Sequence, residues 1–273
     1  MRENIVFVGS GSMAEAIIAG MLHAEIVDRR QIHVTNKQDE NRLAYMKETY
    51  GVQTSYDKEK LIDCADVIIL AMKPKDLKES MEEIGSHIKE NQLVISVLAG
   101  IMTETIEGMI AKPVPVIRTM PNTSAQIGYS ATAIAGGKYV RDEELASAEK
   151  LLQTIGLTKI IAEEDMHTVT AVSGSGPAFI YYFVDAMKNA ALEAGMDSET
   201  ADALITQTII GAGKMLELSG HPAEVLRKNI TSQGGTTEAG LQTLEENEFE
   251  TIIKACIHSA RNRSLDLAKA FQR

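Results

Sequence analysis

The sequence predicts an α/β domain built on a parallel sheet, followed by a domain made only of helices. Three observations carry this. Short apolar runs alternate with amphipathic stretches from residue 5 to about residue 161. A glycine-rich turn, Gly9-Ser10-Gly11-Ser12-Met13-Ala14, follows the first of those runs at once. From Asp165 onward strand patterns cease and only helical spacing remains. Apolar strands alternating with helices indicate a doubly wound sheet covered on both faces. The expected domains are therefore residues 1–163 and 164–273.

Ile5-Val6-Phe7-Val8 is the pattern of a fully buried strand. The helix after the glycine turn carries Met13, Ile17, Met21 and Ala24 on one face. Strand, glycine turn and helix in that order form the dinucleotide-binding fingerprint, with Ala14 in the third small position. Gly9 makes the tight turn, Gly11 lets the backbone approach a pyrophosphate, and the helix start offers unpaired N–H groups. A second strand, Ile32-His33-Val34-Thr35, ends in Asn36-Lys37. Units that take NAD place an acidic residue there for the ribose 2′-hydroxyl. A neutral and a basic residue suit a 2′-phosphate instead. NADPH is the expected cofactor, with NADH as the alternative.

Asp66 to Met72 is a strong buried strand closed by Lys73-Pro74. Pro74 fits the first turn of the next helix, where its missing N–H costs nothing. Lys73 then stands at the carboxyl end of a parallel strand, the side on which open α/β sheets bind ligands. Leu93 to Val97 ends at Leu98-Ala99-Gly100, small enough to admit a flat ring or a ribose. Val114 to Met120 leads into Pro121-Asn122-Thr123. A strand near Ser130 to Ala135, a helix over Arg141–Ile155 and Lys159-Ile160-Ile161 complete the sheet.

In the helical half, Ser173-Gly174-Ser175-Gly176-Pro177 breaks a long apolar stretch, and Pro177 opens the next helix. Helices are expected over 177–194, 198–218, 222–230, 237–246 and 250 to about 271. Gly211 and Gly213 read as close packing points. The last helix carries Ile253, Cys256, Ile257 and Ala260 on one stripe. Helices this apolar in so small a domain are expected to pack against a second copy.

Thr231-Ser232-Gln233-Gly234-Gly235-Thr236-Thr237-Glu238 separates two of those helices. Adjacent glycines let successive N–H groups turn toward one point, and a helix start at Thr236 or Thr237 adds its own. The result is an anion receptor sized for a carboxylate or phosphate, with the hydroxyls of Ser232 and Thr237 beside it. The plainer alternative is a polar helix–helix turn with threonine as the cap.

Composition narrows the classes. Of 273 residues 44% are hydrophobic and 24% charged, as in ordinary globular proteins, and the net charge is −11. That charge disfavours nucleic acid and membrane surfaces as partners. Cys64 and Cys256 are the only cysteines, expected as reduced, buried thiols in a cytoplasmic protein. No apolar run approaches the ~20 residues that span a bilayer, and the first residues run straight into a strand. The six histidines, His23, His33, His87, His167, His221 and His258, are scattered, expected at surface or capping positions, and no metal site is expected.

The motifs taken together resemble those of the pyrroline-5-carboxylate reductases. They are Gly9 to Ala14, Ala71-Met72-Lys73-Pro74, Arg118 to Thr123, Ser173 to Ala178 and Ser232 to Thr237, in order along the whole chain. The resemblance implies a Rossmann-type N-terminal domain followed by an all-α C-terminal dimerisation domain. It implies NAD(P)H-dependent reduction of L-1-pyrroline-5-carboxylate to L-proline, the last step of proline biosynthesis, and a homodimer or a pentamer of dimers. Carried over, Gly9, Ser10, Gly11, Ser12, Met13 and Ala14 hold the pyrophosphate; Asn36, Lys37 and Asp57 lie by the adenosine ribose. Ala71, Met72, Lys73, Pro74, Ala99, Gly100 and Asn122 complete the cofactor side. Ser173, Ser232, Gly234, Gly235, Thr236 and Thr237 take the substrate, with Thr237 and Ser232 closest to the chemistry. Three departures stand out: Gln233 and Ser124 replace usual prolines, and Asp57 a frequent asparagine. Gln233 is expected to loosen the substrate loop and Asp57 to weaken cofactor binding.

Two other readings compete. A β-hydroxyacid dehydrogenase of similar architecture needs a catalytic lysine on the helix after the glycine break, but none occurs before Lys188. A catalytically idle relative would not need Ser232, Gly234, Gly235 and Thr237 intact.

Overall fold

The computed structural model describes residues 3–271. The chain divides into two compact units, one reaching Ser175 and resuming at Ser259, the other covering Gly176–His258. Strands end with residue 160 and the chain is helical beyond. The compact units divide later than residue 163, because Met166 and Val169 pack against Ala133 and Ala135 of the sheet.

The first unit is built from β1 (Ile5–Val8), α1 (Ser12–His23), β2 (Ile32–Thr35), α2 (Glu40–Tyr50), β3 (Gln53–Thr54), α3 (Lys58–Cys64) and β4 (Val67–Leu70). It continues through α4 (Leu77–Ile84), β5 (Leu93–Ser96), α5 (Thr103–Ile110), β6 (Val116–Met120), β7 (Ser130–Gly136), α6 (Asp142–Leu152), β8 (Gly156–Ile160) and α7 (Met166–Val169). The sheet order is β3-β2-β1-β4-β5-β6-β7-β8. All neighbours run parallel except β6 and β7. Side chains alternate between faces along a strand. Ile5 and Phe7 thus join one core with Ile17, Met21 and Leu151, while Val6 and Val8 join another with Ile62, Leu77 and Ile106. Burial on both faces explains why these strands read as unbroken apolar runs. The two-residue β3 and the helix α3 carry too little pattern to be read from sequence.

Arg118 on β6 is 1% exposed. Its Nη1 donates to Met102 Sδ at 3.0 Å and to Glu163 Oε1 at 3.4 Å. Glu163 also accepts from the Thr103 amide and hydroxyl at 2.8 and 2.6 Å. Two of the sequence expectations fail in this unit. His167 is buried, not a surface or capping residue: its Nδ1 shares a 2.9 Å hydrogen bond with Ser264 Oγ. Burial, then the charge of Arg118, pushes its pKa below the usual histidine range. Cys64 is exposed rather than buried: α3 ends at it, and its thiol donates to the Leu61 carbonyl at 3.2 Å.

The second unit holds α8 (Gly176–Glu193), α9 (Ser198–Leu218), α10 (Ala223–Asn229), α11 (Thr236–Glu246) and the start of α12 (Phe249–Phe271), which ends in the first unit. Before α8 the chain does not break outright. Thr170–Gly174 widens into a π turn, with the Ser175 amide donating to the Thr170 carbonyl at 2.8 Å. Gly211 and Gly213 are not packing points within this chain: a Cβ at either would meet nothing within 4 Å.

Candidate active site

In the α/β unit a cleft of about 570 Å³ opens at the carboxyl ends of β1, β2 and β4. Gly9 to Met13, Asn36, Lys37, Ala71, Met72 and Lys73 line it. Gly9 has φ +114°, and a Cβ there would lie 2.5 Å from the Ala71 carbonyl carbon and oxygen. Backbone packing therefore demands glycine at this turn. Gly11 is different: a Cβ there would stand 4.0 Å from the nearest atom, the Ala71 carbonyl oxygen. The fold leaves that space open and does not require it. Gly11 is also the N-cap of α1 and offers no side-chain acceptor to the first-turn N–H groups. Open space above a glycine and an uncapped helix start together fit a dinucleotide pyrophosphate.

The loop is held by groups that the sequence reading did not single out. Arg42 Nε donates to the Ser10 carbonyl at 2.6 Å, and Arg42 Nη2 pairs with Glu15 at 2.5 Å. Tyr45 and Tyr50 donate their hydroxyls to the same Glu15 carboxylate at 2.9 and 2.8 Å. No local signal reveals these partners, which lie about thirty residues apart in sequence. Asn36 is structural as well as cleft-lining: its amide donates to Ser10 Oγ at 3.0 Å and to the Asp39 carbonyl at 2.8 Å. Lys37 pairs with Glu79.

Other expected cofactor residues stand outside this cleft. Ala14 is fully buried beneath it. Asp57 caps α3 by accepting from the Lys60 amide at 3.1 Å, while its neighbour Lys58 reaches the cleft. Pro74 starts the short 3-10 turn Pro74–Asp76, with Lys73 before it. Ala99 and Gly100 form the turn after β5, where Gly100 has φ +78° and faces Leu267. Asn122 donates to the Ser173 carbonyl at 3.2 Å, and its side-chain oxygen accepts from the Ser124 amide. The Ser173 hydroxyl donates to the Ala131 carbonyl at 2.7 Å. These last contacts tie the π turn to β7.

In the helical unit the loop before α11 has the geometry of an anion receptor. Gly234 has φ +74°, and a Cβ on Gly235 would lie 2.6 Å from Ser232 Oγ. The Gly235 amide closes the turn on the Ser232 carbonyl at 3.0 Å. Gly235, not a threonine, is the N-cap, and no side chain caps α11. The first-turn N–H groups are thus free for a ligand. Among the described residues the hydroxyls of Ser232, Thr236 and Thr237 have no hydrogen-bond partner. One amide is taken: Gly234 N–H donates to Glu238 Oε2 at 2.7 Å. Glu238 lies three residues past the cap, the spacing of a capping-box carboxylate, yet it takes the amide one residue before the cap.

Comparison with known proteins agrees with this architecture. Residues 163–267 match the pyrroline-5-carboxylate reductase dimerisation domain, and residues 4–100 the NADP oxidoreductase, coenzyme F420-dependent, domain. Pyrroline-5-carboxylate reductase 2 of Bacillus subtilis (strain 168) is 46% identical over 98% of this chain and 96% of its own length. The pyrroline-5-carboxylate reductase of Staphylococcus haemolyticus is 38% identical over 97% and 98%. A solved pyrroline-5-carboxylate reductase from Coxiella burnetii superposes with a TM-score of 0.92 at 34% identity, covering 98% of this chain and 99% of that one. A Plasmodium falciparum pyrroline carboxylate reductase, solved with NADP bound, superposes at 0.88 with 26% identity over 98% of both chains. Fingerprint, cleft and full-length similarity converge: this chain belongs to the pyrroline-5-carboxylate reductase family, enzymes that reduce L-1-pyrroline-5-carboxylate to L-proline with NAD(P)H.

Proposed function

We propose that the Ser232–Thr237 loop takes the substrate carboxylate, that Thr237 orients the imine, and that NADPH is the preferred hydride donor. The observation that carries this is the uncapped start of α11 beside three unpartnered hydroxyls. A five-membered imine carrying a carboxylate presents an anion and a ring nitrogen close together. Amides of the loop hold the anion, and a β-branched hydroxyl beside them reaches the nitrogen. A nicotinamide bound in the cleft would supply the hydride for the imine carbon, with the proton carried by the ring nitrogen. A protonated imine is already electrophilic, so the chain need not supply a strong acid. It gains rate by fixing the carboxylate and thereby the imine carbon. Glu238 shares or yields the Gly234 amide when that carboxylate binds.

The test is 1-pyrroline, which keeps the ring and lacks the carboxylate. Its kcat/KM should fall about 10- to 200-fold below that of pyrroline-5-carboxylate, the value of charge-assisted hydrogen bonds to an anion. Equal kcat/KM for the two imines would remove the loop from substrate binding.

We further propose that the helical unit forms a homodimer, and dimers a pentamer of dimers, in the cytoplasm. Its apolar residues lie largely uncovered: Tyr182 is 79% exposed, Leu218 76% and Ile210 52%. Patches of this kind mark interfaces. Ile210→Asp should leave a folded chain but halve the mass or smaller, because a carboxylate tolerated by one chain is costly once buried. Light scattering checks this, and a folded wild-type monomer at micromolar concentration would end the proposal.

A further inference from the structure

Lys37 does not stand free over the cofactor cleft. Its Nζ donates to Glu79 Oε2 at 2.6 Å, which joins the end of β2 to α4. One turn later on α4, Glu83 holds Lys58 in the same way at 2.5 Å. All four residues line the cleft that contains Gly9 to Met13. The hydrogen bond between them raises the pKa of Lys37 and lowers that of Glu79, so both carry full charge at neutral pH. Asp39 and Asp76 line the same end and add negative charge.

The pair treats the two cofactors oppositely. A 2′-phosphate approaching Lys37 meets a carboxylate already bound to it, and two anions at contact distance repel. A 2′-hydroxyl meets an acceptor instead. In NAD-binding units an acidic residue at the end of the second strand accepts from that hydroxyl. Here that position is Asn36-Lys37, and a carboxylate arrives from α4.

We propose that Glu79 determines cofactor specificity in this cleft: it stands in for the acidic residue absent after β2, accepts from the ribose of NADH, and competes with the 2′-phosphate of NADPH for Lys37. The proposal rests on Lys37 as the phosphate ligand. Its consequence is a narrow preference between the two cofactors, with Glu79 as the element that narrows it. Glu79 is exposed, so its replacement does not threaten the fold.

The experiment is calorimetric, with adenosine 2′,5′-bisphosphate and 5′-AMP as probes on the full chain. Wild type, Glu79→Gln, Lys37→Gln and the double variant are compared. Glu79→Gln should tighten the bisphosphate about 2- to 5-fold, the worth of an exposed ion pair, and weaken 5′-AMP, whose 2′-hydroxyl loses a charged acceptor; unchanged 5′-AMP would overturn the ribose contact. Lys37→Gln should weaken the bisphosphate, and in the double variant the gain from Glu79→Gln should vanish. Unchanged or weaker bisphosphate binding in Glu79→Gln, with Lys37→Gln still harmful, overturns the role of Glu79 alone. No effect of Lys37→Gln overturns the phosphate role of Lys37 and this proposal with it.

Discussion

Gly9→Ala should abolish measurable NADPH binding and lower the stability of the protein by about 2–6 kcal/mol, the combined cost of a strained backbone and an overpacked contact. The new methyl would stand 2.5 Å from Ala71 carbonyl atoms and 2.6 Å from the Met72 amide nitrogen, all of them backbone. No rotamer relieves such a contact. Either β1 and β4 move apart, where the Ala71 amide now donates to the Val8 carbonyl, or the turn tips out of the cleft. Both outcomes spoil the anion cradle. Gly11→Ala is the matched control, because a Cβ there meets nothing closer than 4.0 Å. It should melt like wild type and still lose affinity, since the methyl enters the space meant for the pyrophosphate. Thermal melting and NADPH fluorescence titration read both. A Gly9→Ala protein that melts and binds like wild type would contradict the geometry of the turn.

Thr237→Val should lower kcat roughly 3- to 100-fold while the KM for NADPH stays near wild type. Valine keeps the β-branched shape, and among the described residues the lost hydroxyl has no partner to leave stranded. If that hydroxyl bonds the ring nitrogen more strongly as hydride arrives, its removal acts on the transition state rather than on binding. One such bond is worth ~0.5–1.5 kcal/mol, or up to ~3 with a charged partner. Steady-state kinetics at saturating imine decide it. Wild-type turnover would reduce Thr237 to a first-turn helix residue and leave the orienting role to backbone amides.

Much of the fold was legible because buried parallel strands leave apolar runs and glycine turns leave a fixed spacing. The tight turn at Gly9 and the open approach at Gly11 are local features of this kind. What escaped depends on partners distant in sequence. Nothing in Arg42 or Glu15 announces that they meet across twenty-seven positions to brace Ser10. Lys37 was expected by the adenosine ribose and lines the cleft, and its engagement by Glu79 needs α4 in place. Asn122 and Ser173 also bond to backbone far away in sequence, Asn122 to the π turn and Ser173 to β7, contacts that no local pattern announces. The burial of His167 escaped for the same reason, since Ser264 lies ninety-seven residues on.

The α/β unit is discontinuous, and this bears on how the chain is made. Ser264 and Ala268 are buried in it, and Leu267 covers the Gly100 turn, yet these residues follow the whole helical unit. At about 5–20 residues per second, synthesis of the intervening segment takes on the order of ten seconds. For that interval the nascent sheet has all its strands, but His167 lacks its hydroxyl partner and the Gly100 turn its cover. The apolar helices emerge before the unit that precedes them is sealed. That part of the nascent chain therefore stays uncovered until the end of translation, and the last helix acts as the closing stitch.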